Sequence, residues 1–135
     1  MPVARPRVFD SWALIAWMEG QPAAPKVRAL IMDAWASSVP MWVTTVNLAE
    51  VWYITARRRS PAAASEAVGQ IRALGFVVAD LDWPLALQAA QYKAENPLSL
   101  ADCFAAALAK QRHAELVTGD REFEPLESTI KIRWL

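Results

Sequence analysis

The feature that most constrains this chain is the position of four acidic residues at the boundaries between segments. Each stands where an apolar, strand-like run gives way to a predicted helix; they are Asp10, Glu50, Asp102 and Asp120. In a parallel sheet with helical crossovers such boundaries lie at one edge, the carboxyl ends of the strands, where open α/β folds form their sites. Carboxylates gathered there repel one another, so we expect a compensating cation. Oxygen-only ligands suit Mg²⁺ or Mn²⁺ rather than Zn²⁺, which predicts a divalent-metal site of the kind used in phosphodiester hydrolysis.

The order of strand-like and helix-like segments predicts the fold class. The predicted strands are 8–9, 42–46, 76–78, 116–118 and 130–134, and the predicted helices are 11–17, 26–35, 47–58, 60–74, 84–95 and 99–112. Strands that alternate with helices favour an α/β three-layer sandwich, with a central, mainly parallel sheet and helices on both faces. The length of 135 residues suffices for one core but not for two, so we expect a single domain over residues 1–135.

Composition narrows the classes of function and the cellular compartment. Hydrophobic residues make up 55% of the chain, which argues against disorder. The 14 basic and 14 acidic residues cancel, so no overall field attracts nucleic acid; neutralising the four acids would leave 14 − 4 = 10 negative charges and a mildly basic remainder. Cys103 is the only cysteine, and neither a signal peptide nor a bilayer-spanning segment is evident. These observations predict a cytoplasmic protein without a membrane partner.

Helix capping is the competing interpretation of the four acids. Carboxylates near helix N-termini satisfy free N–H groups and complement the helix dipole. Ser99 and Asp102 have the spacing of a capping box, and Asn47 is the expected N-cap of the helix that contains Glu50. For any one acid alone, capping is the favoured interpretation. The joint pattern favours a metal site instead, because no lysine or arginine adjoins Asp10, Glu50 or Asp102 in sequence.

Four segments of the chain resemble the signature blocks of a known family. The segments 8–14, 46–51, 98–107 and 116–123 are similar to the blocks of PIN-domain nucleases, and most of all to VapC-type toxins of bacterial toxin–antitoxin pairs. The resemblance covers nearly the whole chain in order. The chain departs from the common pattern at Trp12, where a small residue is frequent, and we expect a packing change beside the site there.

The resemblance implies a PIN-like fold and a Mg²⁺- or Mn²⁺-dependent endoribonuclease that cleaves RNA by metal-activated water. It also implies a homodimer and inhibition by a small cognate antitoxin protein. By motif position, Asp10, Glu50, Asp102 and Asp120 would be the catalytic, metal-binding acids. Ser11 and Thr118 would support them.

Several alternatives remain open from sequence. The chain could be a catalytically inactive PIN-like module for RNA binding or assembly. A haloacid-dehalogenase-like phosphatase is disfavoured, because Trp12 stands where its second aspartate belongs, and no P-loop is present. The run Arg57, Arg58 and Arg59 could bind RNA phosphates or form a solvated helix end. The seven tryptophans are better suited to contact with a protein partner than to base stacking.

Overall fold

Residues 4–135 are described in a computed structural model, in which five strands alternate with helices along the chain. The strands are β1 (Arg7–Phe9), β2 (Met41–Thr44), β3 (Val77–Ala79), β4 (Glu115–Thr118) and β5 (Ile132–Trp134). The helices are α1 (Ser11–Met18), α2 (Ala24–Ser37), α3 (Thr45–Arg58), α4 (Pro61–Ala73), α5 (Trp83–Glu95) and α6 (Leu100–Gln111). A 3₁₀ helix, Arg121–Leu126, lies between β4 and β5.

The strands form one sheet in the order β3-β2-β1-β4-β5, and every pairing is parallel. The chain builds outward from β1 through β2 to β3, then returns to the other side of β1 for β4 and β5. The neighbouring strands β1 and β4 therefore flank the point where the strand order reverses. In open α/β sheets, a crevice forms at such a point outside the carboxyl ends of the strands.

The sheet is buried on both faces because successive residues of its central strands point to opposite sides. Val8 and Leu116 contribute to the apolar cluster under α5 and α6. Phe9 and Val117 contribute to the cluster under α1, α2, α3 and α4, where the Phe9 and Phe76 rings meet edge to face at 4.9 Å. The predicted three-layer α/β sandwich is confirmed, and the sheet is parallel throughout.

The boundary between β2 and α3 was predicted wrongly. The strand ends at Thr44 rather than Val46, and α3 begins at Thr45. The N-cap is Thr44, not Asn47, because the Thr44 hydroxyl accepts the Asn47 N–H at 3.0 Å from an extended backbone. The earlier start places Glu50 in the second turn of α3 rather than at a strand-to-helix junction.

Two further details differ from prediction near the C-terminus. The 3₁₀ helix Arg121–Leu126 has no counterpart in the predicted elements. The last strand begins at Ile132, since the N–H of Ile130 bonds to the Leu126 carbonyl instead of a strand. Within residues 4–135, no helix combines the length and apolar character that crossing a bilayer requires.

Candidate metal centre

Asp10 and Asp120 both follow the carboxyl ends of neighbouring strands. Asp10 follows β1 and is the N-cap of α1. Asp120 lies two residues after β4 and is the N-cap of the 3₁₀ helix. Because β1 and β4 are parallel neighbours, both carboxylates lie at the crevice predicted by the strand order.

Asp10 is both a helix cap and a member of the acidic group. It is 1% exposed; its Oδ1 accepts the Ala13 N–H at 2.8 Å and its Oδ2 accepts the Thr118 hydroxyl. Burial raises the pKa of Asp10 from 3.8 to about 7, against the lowering effect of the two hydrogen bonds. The nearby charges of Asp102 and Asp120 make a smaller contribution to the same rise. The capping and metal interpretations are therefore compatible at this residue, since each oxygen has a second lone pair.

Asp102 projects from the first turn of α6 and is 9% exposed. The Ser99 hydroxyl accepts the Asp102 backbone N–H at 3.2 Å and so caps the helix. Burial raises the pKa of Asp102 from 3.8 to about 6, and the charges of Asp120, Glu50 and Glu122 also raise it. Four acids from three parts of the chain, namely α3, α6 and the 3₁₀ helix with its N-cap, therefore lie close enough to interact.

Glu50 reaches this region from α3 and is held by polar neighbours. Its Oε1 accepts the Ser11 hydroxyl at 2.7 Å and the Asn47 side-chain amide at 3.4 Å. The amide of Asn47, a fully buried residue, also donates to the Ala101 carbonyl at 3.4 Å. Asn47 therefore ties Glu50 to the start of α6.

Thr118 links the two strand ends through one buried hydroxyl. The hydroxyl donates to Asp10 Oδ2 and accepts the Asp120 backbone N–H at 3.0 Å. The Thr118 side chain is fully buried, so this geometry is fixed by packing. The structure therefore places Thr118 against the first and fourth of the sequence-predicted acids.

Three carboxylates converge most closely: oxygens of Asp102, Asp120 and Glu122 all lie within 4.8 Å of one another. Oxygens on opposite sides of a bound Mg²⁺ stand about 4.2 Å apart, so a small closure of this group would produce a binding geometry. Among the ion pairs of residues 4–135, none involves Asp10, Glu50 or any of these three acids. The donors and the lack of internal compensation both fit a hard divalent cation.

A cleft of about 440 Å³ between α1 and α3 is lined by four of these acids, Glu50, Asp102, Asp120 and Glu122, whereas buried Asp10 does not line it. Its other lining residues include Trp12, from the first turn of α1, and Arg58, from the last turn of α3. A Cβ added to Gly119 would lie 2.3 Å from the Trp12 ring, which is too close for any real contact. A side chain at position 119 would therefore force the Trp12 ring to move, so Trp12 packs directly against the loop that positions Asp120.

Residues 7–127 of the chain match the sequence model of the PIN domain family. The chain belongs to the PIN domain family. No curated protein matches this PIN domain by sequence.

Solved structures of VapBC systems have a similar fold. VapBC2 from Rickettsia felis, bound to a DNA fragment from its promoter, has a TM-score of 0.75 at 12% identity, with 96% of this chain and 98% of that chain covered. DNA-bound VapBC from Salmonella typhimurium gives 0.73 at 21% identity, covering 96% and 97%. VapC20 from Mycobacterium tuberculosis, described as a sarcin–ricin loop cleaving toxin, gives 0.70 at 18% identity, covering 92% and 95%. At these identities the likeness establishes the fold.

Two residues of the centre escaped prediction from sequence. Glu122 is not among the acids predicted from sequence, but it lies in the 3₁₀ helix beside Asp102, and its N–H donates to Asp120 Oδ1 at 3.0 Å. Asn47 had been assigned only as a cap, although its position three residues before Glu50 is a spacing that puts both side chains on one helix face.

Proposed function

We propose that this PIN domain is a divalent-metal-dependent endoribonuclease and the toxin of a type II toxin–antitoxin pair. The observation that supports the proposal most is the convergence of acids from β1, α3, α6 and the β4 loop, with no ion pair among the described residues to neutralise them. A PIN domain with such a group has the requirements of a nuclease.

The proposed ligands of Mg²⁺ or Mn²⁺ are Asp10, Glu50, Asp102 and Asp120, and the position of Glu122 adds it to this set. A bound divalent ion would supply acidified water and charge stabilisation at the phosphorus oxygens.

The remaining residues of the centre set the positions and protonation of these acids. Ser11 and Asn47 hold the Glu50 carboxylate by hydrogen bonds, and Thr118 orients Asp10. Because the pKa values of Asp10 and Asp102 are raised to about 7 and about 6, both carboxyls retain part of their protons near neutral pH without a cation. Cation binding is therefore expected to release protons and to strengthen as pH rises.

The direct test is the Asp102→Asn variant assayed for RNA cleavage with Mg²⁺ or Mn²⁺. The isosteric amide leaves the Ser99 cap intact, because that cap uses the backbone N–H of residue 102. We expect cleavage to fall by at least about a hundredfold, since even outer partners of metal ligands cost about 10–100-fold. Asp82→Asn is the matched control: Asp82 caps α5 through its side chain and is not part of the cluster. Cleavage by Asp102→Asn at the parent rate would overturn the proposal.

The competing proposal is an inactive PIN-like module that binds RNA or assists assembly. Calorimetric titration of the parent with Mg²⁺ and Mn²⁺ separates the two, because an inactive module has no use for the cation. Metal binding that is weakened in Asp102→Asn supports the nuclease; absence of binding to the parent supports the inactive module.

We also propose a homodimer and a cognate antitoxin in the cytoplasm. One of the similar structures is described as a toxin–antitoxin complex from Klebsiella pneumoniae. The exposed aromatic residues of this chain provide apolar surface for such contacts: Trp35 is 53% exposed, Trp83 70% and Tyr53 40%. Light scattering of the purified chain, alone and co-expressed with the product of an adjoining short reading frame, tests both. A monomer that associates with no such product would contradict them.

A further inference from the structure

Arg58 is the cation on the wall of the acidic cleft. Along this cleft, within residues 4–135, four carboxylates face a single guanidinium; the acids are Glu50, Asp102, Asp120 and Glu122. The Arg58 side chain is 54% exposed, so it is accessible from solvent. A polyanion entering the cleft would meet strong repulsion except near Arg58 and any bound cation.

The two neighbouring arginines point elsewhere, so the run of three is not one basic patch. The Arg57 guanidinium lies over the Tyr53 ring, 5.1 Å from its centroid. Arg59 lines a separate groove that also contains Glu66. Successive helical residues differ by about 100° in direction, which separates the three side chains around the end of α3.

An ion pair holds Arg58 in the free protein. Its Nη1 donates to both carboxylate oxygens of Glu19, at 2.7 Å each. Glu19 follows the last turn of α1, and its carboxylate also accepts the Gln21 side-chain amide at 3.0 Å. Exposed pairs of this kind contribute about 0–1 kcal/mol, so a phosphate can replace the carboxylate at little cost.

We propose that Arg58 binds a backbone phosphate of the RNA strand that enters the acidic cleft, and that Glu19 restrains Arg58 until RNA arrives. This inference rests on the proposed ribonuclease function. Arginine is suited to the role because its planar fork binds phosphate through two parallel hydrogen bonds. Arg58 thereby adds a positive contact at the C-terminal end of α3, about two helical turns beyond Glu50 on the same helix.

Binding is measured with a labelled, short single-stranded RNA of mixed sequence, in an Asp102→Asn background that prevents cleavage. Arg58→Ala is expected to weaken binding about tenfold, the worth of one charge-assisted hydrogen bond. It should also reduce the slope of log affinity against log salt by about 0.7, the value for one phosphate of a single strand. The controls Arg57→Ala and Arg59→Ala should stay within about twofold of the parent, as expected of exposed charges outside the contact.

Glu19→Gln separates phosphate binding from a structural role of the ion pair. If Arg58 binds RNA, this variant should tighten binding about threefold, and the gain should disappear when Arg58→Ala is added. Glu66→Gln removes a similar charge from the neighbouring groove, which Glu19 also lines, and controls for general electrostatics. A purely structural tie between α1 and α3 would instead make Arg58→Ala and Glu19→Gln lose thermal stability and RNA affinity together.

The outcomes distinguish this inference from the proposed function. If the parent cleaves and binds RNA but Arg58→Ala binds with parent affinity and salt slope, only the role of Arg58 is overturned. If Glu19→Gln weakens RNA binding as Arg58→Ala does, the ion pair between Arg58 and Glu19 has a structural role, and the proposed phosphate contact is overturned. If neither the parent nor the Asp102→Asn protein binds RNA, the ribonuclease proposal fails and this inference fails with it.

Discussion

Replacing Asp10 by asparagine should stabilise the metal-free protein at about pH 8, although it should abolish the proposed activity. Asp10 is 1% exposed and has a pKa raised from 3.8 to about 7, mainly by burial. Above that pH the folded protein must hold a buried negative charge that the unfolded chain exposes to water. Asparagine has nearly the same shape but carries no charge, and it caps helices about as well as aspartate.

The size of the effect follows from the shift in pKa. A shift of one pKa unit corresponds to 1.36 kcal/mol, so a rise from 3.8 to about 7 sets a ceiling of about 4 kcal/mol. The single amide oxygen can still accept the Ala13 N–H, but the amide nitrogen cannot accept the Thr118 hydroxyl, and this lost hydrogen bond offsets about 1–2 kcal/mol. A net gain of about 2–3 kcal/mol is therefore expected in the free energy of unfolding.

The stability difference between Asp10→Asn and the parent should also depend on pH. Between 3.8 and about 7 the folded state keeps a proton at Asp10 that the unfolded state has released, so the parent loses stability as pH rises through this window. The advantage of Asp10→Asn should be absent below about pH 4, grow to about pH 7, and then stay constant. Urea unfolding with chelator across this range measures it.

Adding Mg²⁺ should reverse the order, because the parent gains binding energy that the variant has lost. Asp33→Asn is a control, since Asp33 is an exposed partner of Arg7 on the opposite edge of the sheet. The reasoning would be refuted if the Asp10→Asn protein were less stable than the parent at about pH 8. It would also be refuted if the stability advantage of the variant were as large at about pH 4 as at about pH 8.

Two other substitutions test the packing that supports the site. Gly119→Ala should cost about 1–3 kcal/mol of stability and lower activity, because its Cβ would overlap the Trp12 ring. Adding Trp12→Ser should restore the stability, as measured by thermal unfolding. If the second substitution did not restore it, the overlap would not be the cause. Arg7→Met should cost about 2–4 kcal/mol, because buried Arg7 lies 3.6 Å from buried Glu115 and its loss leaves that carboxylate with one partner. Urea unfolding measures the difference. If the Arg7→Met protein were as stable as the parent, the ion pair between Arg7 and Glu115 would contribute nothing to stability.

The central strands and the two acids after them could be predicted because each signal is local. Val8-Phe9-Asp10 and Leu116-Val117-Thr118 are short apolar runs followed by a polar turn, and parallel pairing then brings their ends together. The end of β2 was less predictable, because Thr44, Thr45 and Val46 all favour strands. The Thr44 hydroxyl overrode that preference by capping the helix.

The remainder of the site depends on contacts that no local pattern contains. Glu122 enters the acidic group only through the 3₁₀ turn after Asp120. The link from Asn47 to the Ala101 carbonyl joins residues 54 positions apart. Likewise, Arg57, Arg58 and Arg59 are equivalent in sequence, and only the helix end decides which of them lines the cleft.

The Thr118 hydroxyl fastens chain segments 108 residues apart with a single oxygen. It has one proton to give, which goes to Asp10, and it receives the Asp120 N–H on a lone pair. Removing this one oxygen therefore removes two hydrogen bonds. The loss of stability from altering either acid should not simply add to the loss from altering Thr118. Serine could preserve both hydrogen bonds, whereas valine, despite its matching shape, could not. The hydroxyl oxygen of residue 118 is therefore indispensable to this arrangement, and its methyl group is not.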